Sequence, residues 1–148
     1  MAEKKHNISY EEIKHRKSLI AIIVRADYKC ERTTFFSPHS FSQQLGYIVY
    51  KKGGVIKAHF HKKVRKKITL TQEVLFIKKG RLVVNFYTPA KKYMSSRTLE
   101  KGDMIFLCSG SHGFKMLADT EIIEVKQGPY SGVDNDKMLF EGIENECV

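Results

Sequence analysis

Apolar positions come in short blocks along this chain, separated by turn-forming residues, and the blocks have strand character. Ser18-Leu-Ile-Ala-Ile-Ile-Val24 is β-branched and apolar, the composition of a buried strand. Gly46-Tyr-Ile-Val-Tyr50 ends at Lys51-Lys-Gly-Gly54, a turn signal. Val74–Ile77 and Leu82–Tyr87 flank Lys78-Lys-Gly-Arg81, which predicts a hairpin with Gly80 at the positive-φ position. Met104–Leu107, Phe114–Leu117 and Ile122–Val125 continue the series. Ahead of these strands, Ser9 and Glu12 have the spacing of a capping box and Ile8 and Ile13 that of a hydrophobic staple, so a short helix of about two turns is expected from Tyr10. The fold class expected is all-β, a sandwich or jelly-roll barrel over residues 18–127. A helical segment (1–17) precedes it, and a tail (128–148) packs on its surface.

No repeat, linker or low-complexity tract divides the 148 residues, which suit one domain with one core. Cys30, Cys108 and Cys147 are far apart and odd in number, so neither a disulfide framework nor a zinc-finger spacing is visible. A reduced, cytoplasmic setting is the simplest reading. The apolar run Leu19–Val24 is far too short to span a bilayer, and no apolar stretch of signal-peptide length follows the N-terminus. No membrane partner is expected.

The formal net charge of +10 changes the picture of partners. Basic residues gather at Lys4–Lys17 and Lys62–Lys67, without a helix-turn-helix, zinc-finger or ribonucleoprotein signature, so nucleic acid is not expected. Two readings stay open for the second cluster: a solvated charged loop, or a collector for an anionic small molecule such as a phosphosugar.

Three fragments carry candidate chemistry: Gly53 to His61, Glu73 to Gly80, and Gly102 to His112. His59 and His61 stand at i and i+2, so both imidazoles leave the same face if the segment is a strand. Alternation places Glu73, Leu75 and Ile77 on one face, and His112 with Phe114 and Met116 on another inward face. Four polar groups aimed into an apolar interior are expensive unless a cation compensates them, and three imidazoles with one carboxylate form an N3O metal set. A satisfied polar core is the competing reading. Gln72 is the fallback ligand should Glu73 point outward. Lys57 shares the histidines' face and could hold a phosphate or carboxylate, or it could sit at the rim. Arg65 could grip an anion bidentately or remain solvated. Cys108 is read as a small buried side chain rather than a nucleophile, since no base can be assigned to it.

These fragments resemble the two sequence motifs of the cupin superfamily, whose jelly-roll barrel holds one divalent metal. Gly53, His59, His61, Glu73 and Gly80 follow the first motif, with its five- and six-residue spacings kept. Gly102, Gly110 and His112 follow the second. The chain departs from the pattern in four ways: eleven residues separate His61 from Glu73, Cys108 takes the proline position, His112 comes one residue early, and no asparagine follows it at the usual place. The resemblance implies the barrel and a mononuclear site of His59, His61, Glu73 and His112 for Fe, Mn, Ni, Co or Zn. Glu124-Val-Lys-Gln-Gly-Pro-Tyr130, followed by Asp136-Lys137, resembles the tail of small bacterial cupins of surface-polysaccharide and sugar-nucleotide pathways. That likeness adds Tyr130 and Lys137 as candidate substrate contacts, beside Lys57 and Arg65. The function it implies is a metal-dependent isomerase or epimerase acting on a carbohydrate or sugar phosphate, in a homodimer. A non-catalytic sugar- or anion-binding module and an Fe(II) dioxygenase are the alternatives.

Overall fold

Strand-forming sequence becomes strand wherever a neighbouring backbone completes its ladder. The structure, a computed structural model, describes residues 9–146. They divide into two units, one of residues 9–28 and 71–146 (the β unit) and one of residues 29–70. The β unit contains β1 (Tyr10–His15), β2 (Ser18–Val24), β5 (Glu73–Lys79), β6 (Arg81–Tyr87), β7 (Tyr93–Glu100), β8 (Met104–Leu107), β9 (Ser111–Met116), β10 (Glu121–Lys126) and the single turn α1 (Val133–Asp136). The 29–70 unit has only the two-residue strands β3 (Thr34–Phe35) and β4 (Gly46–Tyr47). The fold is therefore all-β. Among the described residues no helix is long and apolar enough to cross a membrane.

Every pairing is antiparallel. One sheet of the β unit has the order β1-β2-β8-β5-β10 and the other β7-β6-β9. They do not close into a barrel; they share one core. Cross-strand register puts Ile13, Ala21, Leu107 and Glu73 in one row, and Ile23, Ile105 and Leu75 in the next. The aliphatic members of these rows meet Leu82, Val84 and Phe86 of β6 and Leu99 of β7 in a single buried cluster. Phe86, Leu82 and Val84 are fully buried, so each contributes on the order of 1.5–3 kcal/mol of burial. At one margin of the unit, Arg97 of β7 grips Glu11 of β1: Nε donates to Oε1 and Oε2 at 2.8 and 3.0 Å, and a terminal nitrogen donates to Oε1 at 2.6 Å. This two-pronged contact joins an edge strand of one sheet to an edge strand of the other.

The structure corrects two sequence expectations. The expected N-terminal helix is absent: Tyr10–His15 is a strand, joined to Ser18–Val24 by a two-residue turn in which Arg16 has φ 54°. The local capping pattern loses to the ladder offered by the apolar strand β2, which also lets Ile13 reach the core. Glu12 receives the Tyr10 hydroxyl at 2.8 Å and pairs with Lys14 instead of capping anything. Ile8, the other half of the expected staple, lies outside the described residues, as does most of the first half of segment 1–17.

The second correction concerns Gly80. It has the expected positive φ (87°), yet β5 and β6 do not pair as a hairpin. The chain turns a corner there, from the five-stranded sheet to the three-stranded one. A Cβ on Gly80 would collide with the Asp119 carbonyl oxygen, so the corner requires glycine for space as well as for conformation.

Candidate functional site

Glu73 opens β5 on the core side of its sheet, level with Leu107 on one neighbour and Lys126 on the other. Its side chain is almost fully buried, where an unpaired carboxylate would cost several kcal/mol. The compensation comes from the other sheet. His112 is paired with Phe86, so its ring faces the same interior, and its Nε2 stands 3.5 Å from Glu73 Oε2. That separation is longer than a well-formed N–H···O hydrogen bond, so the pair is a close polar contact across the two sheets. Phe114 packs against the imidazole with ring centroids 5.3 Å apart. The inward placement of both residues follows the alternation expected from the sequence.

The electrostatics agree with the geometry. The His112 contact holds the Glu73 carboxyl below its usual range, outweighing the upward push of burial, and the positive charges of Lys137 and Lys126 add to the lowering. Glu73 is thus a carboxylate at neutral pH. Beside it, Gln72 is buried as well, and its side-chain Nε2 donates to the Cys108 carbonyl at 3.3 Å. Burial, with a smaller push from Glu12, raises the Cys108 thiol to about 12, so it stays protonated and inert.

Lys126 is absent from the residues expected from sequence, although a lysine across the ladder from a buried glutamate is the signal that finds it. Its Nζ lies 5.1 Å from the Tyr130 ring centroid, a cation–π contact. The chain after β10 is tied back to the entrance of β5: the Gln72 amide donates to Gln127 Oε1 at 3.1 Å, and Thr71 Oγ1 donates to Asp136 Oδ1 at 3.3 Å. This anchoring brings Lys137 within electrostatic reach of Glu73.

The other predicted residues belong to the 29–70 unit. Lys57, His59, His61 and Arg65 are all exposed, on a stretch (55–69) that is neither helix nor strand. The expected strand through His59 and His61 is therefore not formed; no ladder hydrogen bonds support it. Their rings nevertheless stand edge to face, with centroids 5.3 Å apart, and His59 Nδ1 contacts the Lys57 carbonyl oxygen at 2.9 Å. Each unit thus supplies two of the four donors expected for a metal. Among the described residues no group of three or more potential ligands is assembled. Neither unit's pair of donors fits a metal ion by itself.

A second polar cluster lies on the opposite face of the three-stranded sheet. Asn85 and Tyr87 of β6 are buried there by the C-terminal tail. Glu144 Oε1 accepts from the Tyr87 hydroxyl at 2.5 Å and from Asn85 Nδ2 at 3.1 Å, while the Ile143 amide donates to the Tyr87 oxygen at 2.9 Å. Ser96 Oγ donates to Asn85 Oδ1 at 2.5 Å, and Phe140 packs edge-on against Tyr87. Gly113, the neighbour of His112, leaves the space that Glu144 fills: a Cβ there would collide with its carboxylate. Burial raises the Tyr87 hydroxyl, with Glu144 adding to the effect. Burial pushes Glu144 up, but the Tyr87 and Asn85 donors outweigh it and its carboxyl ends below the usual range. Asn85 interrupts an otherwise apolar strand and could have flagged this face; nothing near Glu144 in sequence does.

No known family profile matches the chain, and no curated protein or solved structure matches it.

Proposed function

We propose that this is a cupin-type jelly-roll protein that moves a proton on a carbohydrate or sugar-phosphate substrate, as an isomerase or epimerase. The observation carrying the reading is the Glu73–His112 contact: two strands from different sheets deliver a buried carboxylate and a partly exposed imidazole to one place, 3.5 Å apart. In the reaction, the unprotonated His112 nitrogen takes the proton from a carbon next to a carbonyl. Glu73 steadies the imidazolium that results; in isomerisation the proton returns to the neighbouring carbon while the hydroxyl proton passes to the former carbonyl oxygen through solvent, and in epimerisation a proton returns to the opposite face of the same carbon. Atoms and electrons balance without a co-reactant. The motif spacings from Gly53 to His112 and the all-β, shared-core architecture support the family reading.

The test is solvent exchange. Wild-type protein is incubated in deuterium oxide with a panel of sugar phosphates and nucleotide sugars, and deuterium incorporation is followed by NMR. Incorporation that disappears in His112→Ala and falls in Glu73→Gln supports the proposal. Binding without exchange or product would instead favour a non-catalytic module.

A second reading rests on the motif spacings alone: a mononuclear divalent transition metal with His59, His61, Glu73 and His112 as its donors. Metal analysis of protein purified without an affinity tag decides it. One equivalent of a transition metal, lost in both His59→Ala/His61→Ala and His112→Ala, is the result this reading requires. Oxygen consumption by an iron-loaded sample would point to dioxygenase chemistry.

A further inference from the structure

Charge is divided unevenly between the two units. Residues 9–28 and 71–146, the β unit, include fourteen lysines and arginines against fourteen aspartates and glutamates, and are neutral overall. Residues 29–70 include ten against one, Glu31, so almost all of the chain's net charge of +10 lies there. No acidic residue stands between Glu31 and Glu73. The same unit leaves large apolar side chains in water: Phe60 is 83% exposed, and Val55, Ile56, Val64, Ile68 and Leu70 are exposed as well. Basic and apolar positions interleave. Lys57, His59, His61, Lys63, Arg65 and Lys67 fall on every second residue, and Ile56, Phe60, Val64 and Ile68 fall among the positions between. At His59 and His61 the alternation is visible in space. Their rings meet with centroids 5.3 Å apart, as side chains two residues apart do in extended backbone, where the intervening Phe60 leaves by the other side. A solvated charged loop accounts for the cations. It does not account for bulky apolar groups held in water among them, an arrangement that marks a surface for attachment.

We propose that residues 55–70 attach the protein to a membrane surface rich in acidic phospholipids, with the cations against the lipid phosphates and Phe60, Val64 and Ile68 entering the boundary of the acyl chains. This attachment is independent of the proton-transfer reading. The sequence argues against a membrane partner only through its lack of a spanning run, and a segment lying in the surface needs none. Each lysine or arginine near such a surface adds attraction, and apolar groups add depth; the two together hold where either alone binds weakly. The backbone of 55–69 lies outside any ladder, and in the headgroup layer water still reaches its amides and carbonyls, which the hydrocarbon interior would not permit. A folded protein partner would require a surface of fixed shape, which a stretch without regular structure does not present. A lipid surface asks only for charge and depth. RNA or DNA would use the cations, but the exposed apolar groups here are mostly aliphatic, and bases stack on aromatic rings.

The test uses the full chain and vesicles, either of phosphatidylcholine alone or of phosphatidylcholine with an equal part of phosphatidylserine, read by co-sedimentation. Binding is expected to the acidic vesicles only, and it should weaken as salt is raised. Lys63→Glu/Arg65→Glu/Lys66→Glu should weaken it by about a hundred-fold or more. Phe60→Ser/Val64→Ser should weaken it by about ten-fold or more. Lys79→Glu/Lys92→Glu/Lys101→Glu, an equal change of charge in the β unit, should weaken it far less. All eight positions are exposed, and unchanged circular dichroism verifies that the variants fold. The chain has no tryptophan, so Phe60→Trp supplies a single reporter whose emission should shift to the blue on acidic vesicles. No binding to acidic vesicles, equal losses from the two charge-reversal variants, wild-type binding by Phe60→Ser/Val64→Ser, or binding without the blue shift overturns the proposal. Tight binding of poly(U) RNA that Phe60→Ser/Val64→Ser leaves intact, with no vesicle binding, overturns it in favour of a nucleic-acid surface.

Discussion

The two units of this protein use similar residues to opposite effect. In the β unit, Ile22, Ile23, Ile77, Val84 and Ile105 are fully buried. In the 29–70 unit, Val55, Ile56, Phe60 and Val64 are between 57% and 83% exposed. Both sets are β-branched or aromatic side chains, the composition that fits a pleated sheet. The difference is the ladder. Strand propensity is realised through cross-strand packing, and a segment without a paired backbone gains nothing from it. The consequence for chemistry is direct. Glu73 and His112 inherit fixed positions from the core beneath them, whereas His59 and His61 are placed by each other and by the backbone at Lys57.

The sharpest way to break this contrast is to delete a large side chain in each unit. Phe86→Ala should lower the unfolding free energy by about 3–5 kcal/mol, because it leaves a cavity between the sheets. Phe60→Ala, at an exposed position, should change it by less than about 0.5 kcal/mol. Chemical denaturation of the two variants reads this; comparable losses would mean that Phe60 has a buried role.

The next effect in size concerns the tail. Tyr87→Phe removes the hydroxyl that donates to Glu144 and accepts from Ile143, and should cost about 1–3 kcal/mol through the buried groups left unpaired. An unchanged denaturation midpoint would contradict it.

Acid should act on the β unit through Glu73 and Glu144. Both carboxyls lie below their usual range in the folded chain, so the folded state binds fewer protons than the unfolded one as pH falls. The stability they contribute is complete above the ordinary carboxylate range and is lost as pH drops through the folded values. Glu73→Gln should therefore flatten the acid side of the stability profile, measured as melting temperature against pH. An unchanged slope would show that the His112 contact does not operate in solution.

Smallest of all is the surface charge of the other unit. Reversing Lys63, Arg65 and Lys66 to glutamate should shift stability by no more than about 0.5 kcal/mol, since exposed charges interact weakly through water. Hydrogen exchange sharpens the same point: amides of residues 55–69 should exchange far faster than those of β2, β6 and β8, which lie in ladders.

Much of the β unit is legible in sequence because its strands alternate toward one core. β2, β5, β6, β8 and β10 follow from apolar periodicity, and so does the inward aim of Glu73 and His112. β7 is not legible: Tyr-Met-Ser-Ser-Arg-Thr-Leu-Glu is mostly polar and becomes a strand through its ladder with β6. Local signals misread Tyr10–His15 as a helix because the partner that makes it a strand arrives only with β2. Lys126 and Glu144 stay hidden for a related reason. One acquires its place from register across β5 and the other from a tail that folds back, and neither relation leaves a periodic trace.

The Arg97–Glu11 grip has a further implication for how the β unit moves. It fastens β1 to β7, the margin of the two sheets farthest along the strand order from β10 and β9. A pair of leaves bound along one spine opens along the other. Thermal breathing of the β unit should therefore be lopsided, widest between β9 and β10, where His112 and Lys126 sit, and the spine would return the leaves to register after each excursion.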